Sequence, residues 1–226
     1  MAQVDDRQDA TLTTSVYIQL RSDLLSGKLR PGEKLAAEAL RSRFQIGSTP
    51  IREALNRLLA EGFVALEAQK GFSVAPVSEK DLRELVTARC WIDGMAVRQS
   101  IASHDMGWEE ELLLSYHRLS RTSRNLADTP GVADPNWERL HRRFHMALVG
   151  GCGSHWVVRI SEQLFDAAER YRLLAADQVP ERNELDEHRA ILDACLERRP
   201  DDAIHLLELH YGRTFEVIVD AMAKAS

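Results

Sequence analysis

Four histidines are the residues in this chain of 226 whose type and spacing point most directly to chemistry. His141 and His145 are four apart, so in a helix they share one face. His188 and His210 follow in two later helical stretches. Imidazoles at i and i+4, joined by two from neighbouring helices, could converge on one divalent ion inside a helical bundle. Nitrogen ligands suit zinc, nickel or another borderline metal. Arg139, Arg142 and Arg143 surround the first pair, and a plain basic surface helix accounts for the same spacing. No carboxylate beside the histidines has an evident general-base role and no nucleophile motif accompanies them, so a metal-dependent helical enzyme is the weaker alternative.

A second chemical stretch is Gly47-Ser48-Thr49-Pro50-Ile51-Arg52-Glu53-Ala54-Leu55. It reads as the start of a helix: small or hydroxylic residues that cap backbone N–H groups, a proline suited to the first turn, then apolar residues at helical spacing. Arg52 faces outward from that stripe. A helix end with open N–H groups, hydroxyls and an arginine suits phosphates and base edges, though an ordinary capped helix has the same look.

The elements that position these residues fall into two groups. Residues 1–12 are polar and are expected to form a disordered tail. From Thr13 a helix runs to Ser26-Gly27, a second spans Leu35 to Phe44, and a third runs from Ser48 to Glu61. Phe63 to Leu66 and Phe72 to Ala75 read as two strands with Gly71 near the tip of their connection. Helix, helix-turn-helix and hairpin together predict a winged helix over residues 13–77. Residues 79–226 show helical periodicity only, with helices expected near 79–103, 108–127, 137–149, 155–176, 181–198 and 201–224. The fold class is therefore mainly α: an N-terminal winged helix-turn-helix followed by an antiparallel all-α bundle.

Charge supports the division. The net charge is −6, but residues 13–78 hold nine Lys/Arg against six Asp/Glu, while residues 79–226 hold 19 against 26. A mildly basic first part and an acidic remainder suit different partners. No apolar run approaches the ~20 residues of a membrane span. Three scattered cysteines make neither a disulfide framework nor a CxxC site, so a reducing cytoplasm is the expected compartment.

Four motifs in order, Gly27-Lys28-Leu29-Arg30-Pro31-Gly32, Thr49 to Leu55, Glu61-Gly62-Phe63-Val64 and Lys70-Gly71-Phe72, resemble the GntR family of bacterial transcription regulators. The resemblance implies a homodimer on double-stranded operator DNA. It implies DNA contacts at Gly47, Ser48, Thr49 and Arg52 and, at the wing, Gly71, with Arg41 and Lys70 as phosphate contacts. Ser48 stands where the family often has a base-reading arginine, which implies a different operator.

Phe144-His145, Glu187-His188, Asp202-Ala203 and His210 resemble the FCD ligand domain of the FadR subgroup. There an acidic residue and three histidines often hold a metal below an effector pocket; here the acidic position is His141. The resemblance implies effector contacts at Arg89, and more weakly at Tyr171 and Arg172. Arg89 also has Asp93 one turn on, which equally fits a surface ion pair. Residues 143–155 and 163–172 resemble a glutarate-responsive branch of the family, implying a small organic acid, a C5 dicarboxylate first, and repression. A regulator with a purely structural metal is the alternative.

Overall fold

The computed structural model describes residues 2–103, 105–126, 134–175 and 184–225, with side chains from residue 12 to residue 224. The chain divides into two compact units, Met1–Ser78 and Glu79–Ser226. The mainly α class, winged helix-turn-helix plus helical bundle, is what the structure contains.

The first unit holds α1 (Ala2–Leu25), α2 (Ala37–Phe44), α3 (Ser48–Ala60), β1 (Val64–Glu67) and β2 (Gly71–Val74). The strands pair antiparallel, Val64 with Val74 and Glu67 with Gly71, and Lys34 bridges to Ser73 on the free edge of β2. The core is small: Leu20 and Leu24 of α1 meet Ile51, Leu55 and Leu58 of α3, closed by Phe63. Helix α1 runs without a break from Ala2 to Leu25.

Two polar clasps fix α1 against the helix-turn-helix. The buried Asp23 carboxylate accepts from Arg43 of α2 at 2.5 Å and from Gln19 at 3.1 Å. The Tyr17 hydroxyl donates to Glu61 just beyond α3, at 2.8 Å to one oxygen, and the Arg57 guanidinium lies 3.7 Å from the Tyr17 ring centre.

The second unit holds α4 (Glu79–Ala102), α5 (Met106–Ser120), α6 (Pro135–Gly150), α7 (His155–Leu174), α8 (Glu184–Leu196) and α9 (Pro200–Ala225). The starts follow from caps: Asp105 accepts from Gly107 N, Asp134 from Asn136 N, and Ser154 from Val157 N. Helix α5 stops at Ser120, earlier than expected, in a run of hydroxyls that bond back to the chain: Ser120 to the His117 carbonyl, Thr122 to that of Arg118. The expected breaks at 128–131 and 179–180 lie outside the described residues. Helix α4 packs against α9, α7 and α6, and α5 against α6 and α8. Phe144, Leu112, Leu119, Leu148, Ile191 and Val97 are fully buried between them.

The turn after α6 is tight. A Cβ on Gly151 would stand 2.8 Å from Trp108, whose indole N–H is fixed to the Ala147 carbonyl at 2.8 Å, and 3.2 Å from Ser100. Gly151→Ala should therefore destabilise the bundle by about 1–3 kcal/mol through overpacking, although its φ of −84° suits alanine. Urea titration of the two proteins measures this; equal midpoints would show that the turn yields.

Candidate metal centre, effector cavity and nucleic-acid interface

Helix α6 carries an apolar stripe, Trp137, Leu140, Phe144 and Leu148, and His141 and His145 lie on that same buried face. His188 comes from α8 and His210 from α9. One nitrogen from each of the four lies within 4.8 Å of the others, and all four residues are buried. This replaces the surface-helix alternative for His141 and His145, and His188 is fully enclosed. His141 Nε2 and His145 Nε2 are 3.1 Å apart. The Trp137 ring lies flat on His141, centroids 4.7 Å apart at 10°, which fixes its plane.

Burial holds His141 and His145 well below the usual imidazole range; for His141 the neighbouring His145 adds to this, and for His145 His188 does. Both are therefore neutral with lone pairs available. Their Nδ1 atoms have no hydrogen-bond partner among the described residues. Two nitrogens each bound at ~2.0–2.1 Å to one ion stand about 3–3.5 Å apart, so the donor set fits a divalent borderline metal.

A cavity opens beside the cluster, with about 540 Å³ of empty space including its mouth. His141, His145 and His210 line it, with Arg89, Glu169, Arg172 and Glu184 as the charged walls and Phe165, Tyr211 and Ile218 among the apolar ones. Arg89 is buried on α4, its guanidinium 4.0 Å from the Tyr211 ring centre, and its Nε stands 3.6 Å from Asp93. Its Nε and Nη2 have no hydrogen-bond partner among the described residues. Asp93 instead accepts the Tyr211 hydroxyl at 2.8 Å. Arg89 lines the cavity and stands beside Asp93, but both are buried, so the pair is not the surface ion pair that the spacing also fits.

Arg172 and Tyr171 are placed differently. Both terminal nitrogens of Arg172 are held by Glu138 of α6, one at 3.0 Å, and Glu169 stands 3.5 Å away. Arg172 is therefore a wall of the cavity whose charge is already met. Tyr171 is not among the lining residues; its hydroxyl donates to Asp81, in the first turn of α4, at 2.5 Å. Tyr211 and Glu169 were missed from sequence. Glu169 had a signal, since it lies three residues before Arg172, one helical turn; Tyr211, merely adjacent to His210, had none.

In the first unit, Gly47 caps α3 with extended backbone and no side chain bonds back to the open N–H groups. Gly47, Ser48, Thr49 and Arg52 are all exposed, and Arg52 makes no ion pair among the described residues. Arg41 pairs with Glu38 at 3.1 Å and Lys70 with Glu67 at 2.7 Å; both pairs are exposed, so phosphate can displace the carboxylate at little cost. Gly71 ends the wing turn at φ +83°, a conformation glycine adopts without strain.

A winged helix with an unpaired arginine at the start of its third helix, joined to a helical bundle with a histidine-lined cavity, defines a ligand-responsive DNA-binding regulator. Residues 12–74 match the gntR family of bacterial regulatory proteins and residues 84–213 match the FCD domain. The HTH-type transcriptional regulator BphR of Paraburkholderia xenovorans is 36% identical over 209 residues, 92% of this chain and 85% of that protein. The HTH-type transcriptional repressor GlaR of Escherichia coli is 35% identical over 214 residues, covering 92% and 96%. Among solved structures, E. coli McbR/YncC superposes with a TM-score of 0.73 at 21% identity, over 92% of this chain and 97% of that one. The chain belongs to the gntR family and carries an FCD ligand domain. It is a transcription regulator and not an enzyme, so the catalytic-metal alternative falls. Among the described residues no helix is long and apolar enough to cross a membrane.

Burial pushes the Glu169 carboxyl up from 4.5 to about 7, with Arg172 opposing and Glu138 adding to the rise. The folded protein then keeps a proton that the unfolded chain releases above pH 4.5. Stability present below that pH is lost as pH rises towards 7, by on the order of 3 kcal/mol. Glu169→Gln should be close to wild type at pH 5 and melt above it at pH 7.5, in chelator-treated protein. A constant difference across that range would remove Glu169 as the cause.

Proposed function

We propose that this regulator is a repressor that binds a palindromic operator as a homodimer and is released by a small dicarboxylate, a C5 acid such as glutarate first. The observation that carries the ligand class is the cavity itself: His141, His145 and His210 of the four converging imidazoles line it, and so does Arg89, with open N–H donors. His141, His145, His188 and His210 would hold a divalent ion, zinc or nickel by donor type, which supplies positive charge uncompensated by any carboxylate within the cluster. Arg89 then takes the far carboxylate, and the apolar wall at Phe165 and Ile218 suits a short methylene chain. The sign of regulation follows the similarity to the repressor GlaR. Exposed apolar pairs one turn apart, Trp91 with Met95 and Trp156 with Ile160, support self-association.

The contacts to DNA rest on Gly47, Ser48, Thr49 and Arg52 in the major groove, with Arg41, Lys70 and Gly71 at the backbone. Release requires that the acid bind the DNA-competent arrangement less tightly than the other.

Metal analysis of purified protein, then melting with C4–C6 dicarboxylates, tests the ligand half. A saturating acid at about 100 times its Kd adds about 2.7 kcal/mol, and Arg89→Ala should erase that shift. No shift with any acid would favour a regulator whose metal is purely structural.

Binding to operator fragments at fixed salt tests the other half. Arg52→Ala should lose about 1–3 kcal/mol on the specific site and little on random DNA, whereas Ser48→Arg should change the preferred sequence. Equal gains for Ser48→Arg on all sequences would contradict base reading at that position.

A further inference from the structure

One carboxylate outside the histidine cluster touches it. Glu187 precedes His188 on α8, and its Oε2 lies 2.8 Å from His210 Nδ1. Its Oε1 accepts from Arg213 Nη1 at 3.1 Å, so the carboxylate is gripped from α9 by two residues one turn apart. Glu187 and His210 are both largely shielded from water, whereas Arg213 is half exposed. A carboxylate at this distance accepts a hydrogen bond from Nδ1–H, which leaves Nε2 as the lone-pair nitrogen. The His210 ring centre is 4.7 Å from that of His188 and 5.3 Å from that of His145.

Such an outer carboxylate orients the ring and raises the basicity of the ligating nitrogen. The effect counts for more here than in most histidine sites. The four imidazoles bring no negative charge of their own, and His141 occupies the position where an acidic ligand was expected. Resting on the metal reading above, we infer that Glu187, steadied by Arg213, is a positioning residue that fixes His210 as an Nε2 donor and supplies negative charge one hydrogen bond away from the ion.

The test uses full-length protein, zinc, and a competing chelator. Glu187→Gln keeps a hydrogen-bond acceptor and removes the charge; it should weaken zinc binding about 10–100-fold. Glu187→Ala removes both and should weaken it further, and Glu187→Asp should fall between glutamine and wild type. Metal-free melting temperatures identify any variant that loses its fold. Independently of all variants, long-range 1H–15N spectra of the zinc-loaded wild type should show His210 protonated at Nδ1. Zinc affinity of Glu187→Gln within twofold of wild type, or a proton on Nε2 of His210, would overturn the assignment. Wild-type protein that binds no divalent ion would instead overturn the metal reading itself, and this inference with it.

Discussion

An imidazole buried in a dry helical interior must shed its charge, and a neutral imidazole still has a donor and an acceptor to satisfy. Four of them packed together cannot satisfy one another. His141 and His145 face each other Nε2 to Nε2, and their Nδ1 atoms are left over. A divalent ion, as proposed, would relieve the facing Nε2 lone pairs by taking one from each ring. The surroundings are arranged around that need: Trp137 clamps the plane of His141, and Glu187 engages the back of His210. Arg89 and Arg172 close the cavity with positive charge that further disfavours protonated histidine. The same arrangement that makes the site hospitable to a metal makes it hospitable to an anion.

The two arginines show how burial assigns different tasks to like residues. Arg172 lies against two carboxylates and has little left to offer a ligand. Arg89 rests on the face of Tyr211, which contributes a cation–π contact without occupying its N–H groups. Tyr211 gives its own hydroxyl to Asp93, so one aromatic residue both supports the arginine and diverts the nearby carboxylate from it. A similar division holds in the winged helix. Arg43 and Arg57 are tied to Asp23 and Glu61 and serve the fold, while Arg52 stands clear.

Much of this was legible in the chain. Helix starts were readable where hydroxyls precede a proline, as at Ser48-Thr49-Pro50, and the winged helix where glycine and proline punctuate short apolar runs. The i, i+4 pair of histidines was visible, as was Asp93 one turn from Arg89. What escaped depends on which helices meet. Nothing near Arg172 in sequence announces Glu138, 34 residues earlier, as its partner. Tyr171 looked like a pocket residue beside Arg172 but lies on another face of α7. Successive helical residues point about 100° apart, so the neighbour of a lining residue usually looks elsewhere. The early end of α5 escaped for a local reason: propensity is nearly balanced there, and boundaries are its weakest product.

The bare cap of α3 has an evolutionary consequence. In most helices the first hydroxyl is bound into the structure, and changing it lowers stability. Here the N-cap Gly47 makes no side-chain capping bond, and Ser48 and Thr49 are exposed. These two positions can therefore drift among side chains with little penalty to folding. With the DNA contacts proposed above, substitutions there would alter the target site and leave the scaffold intact.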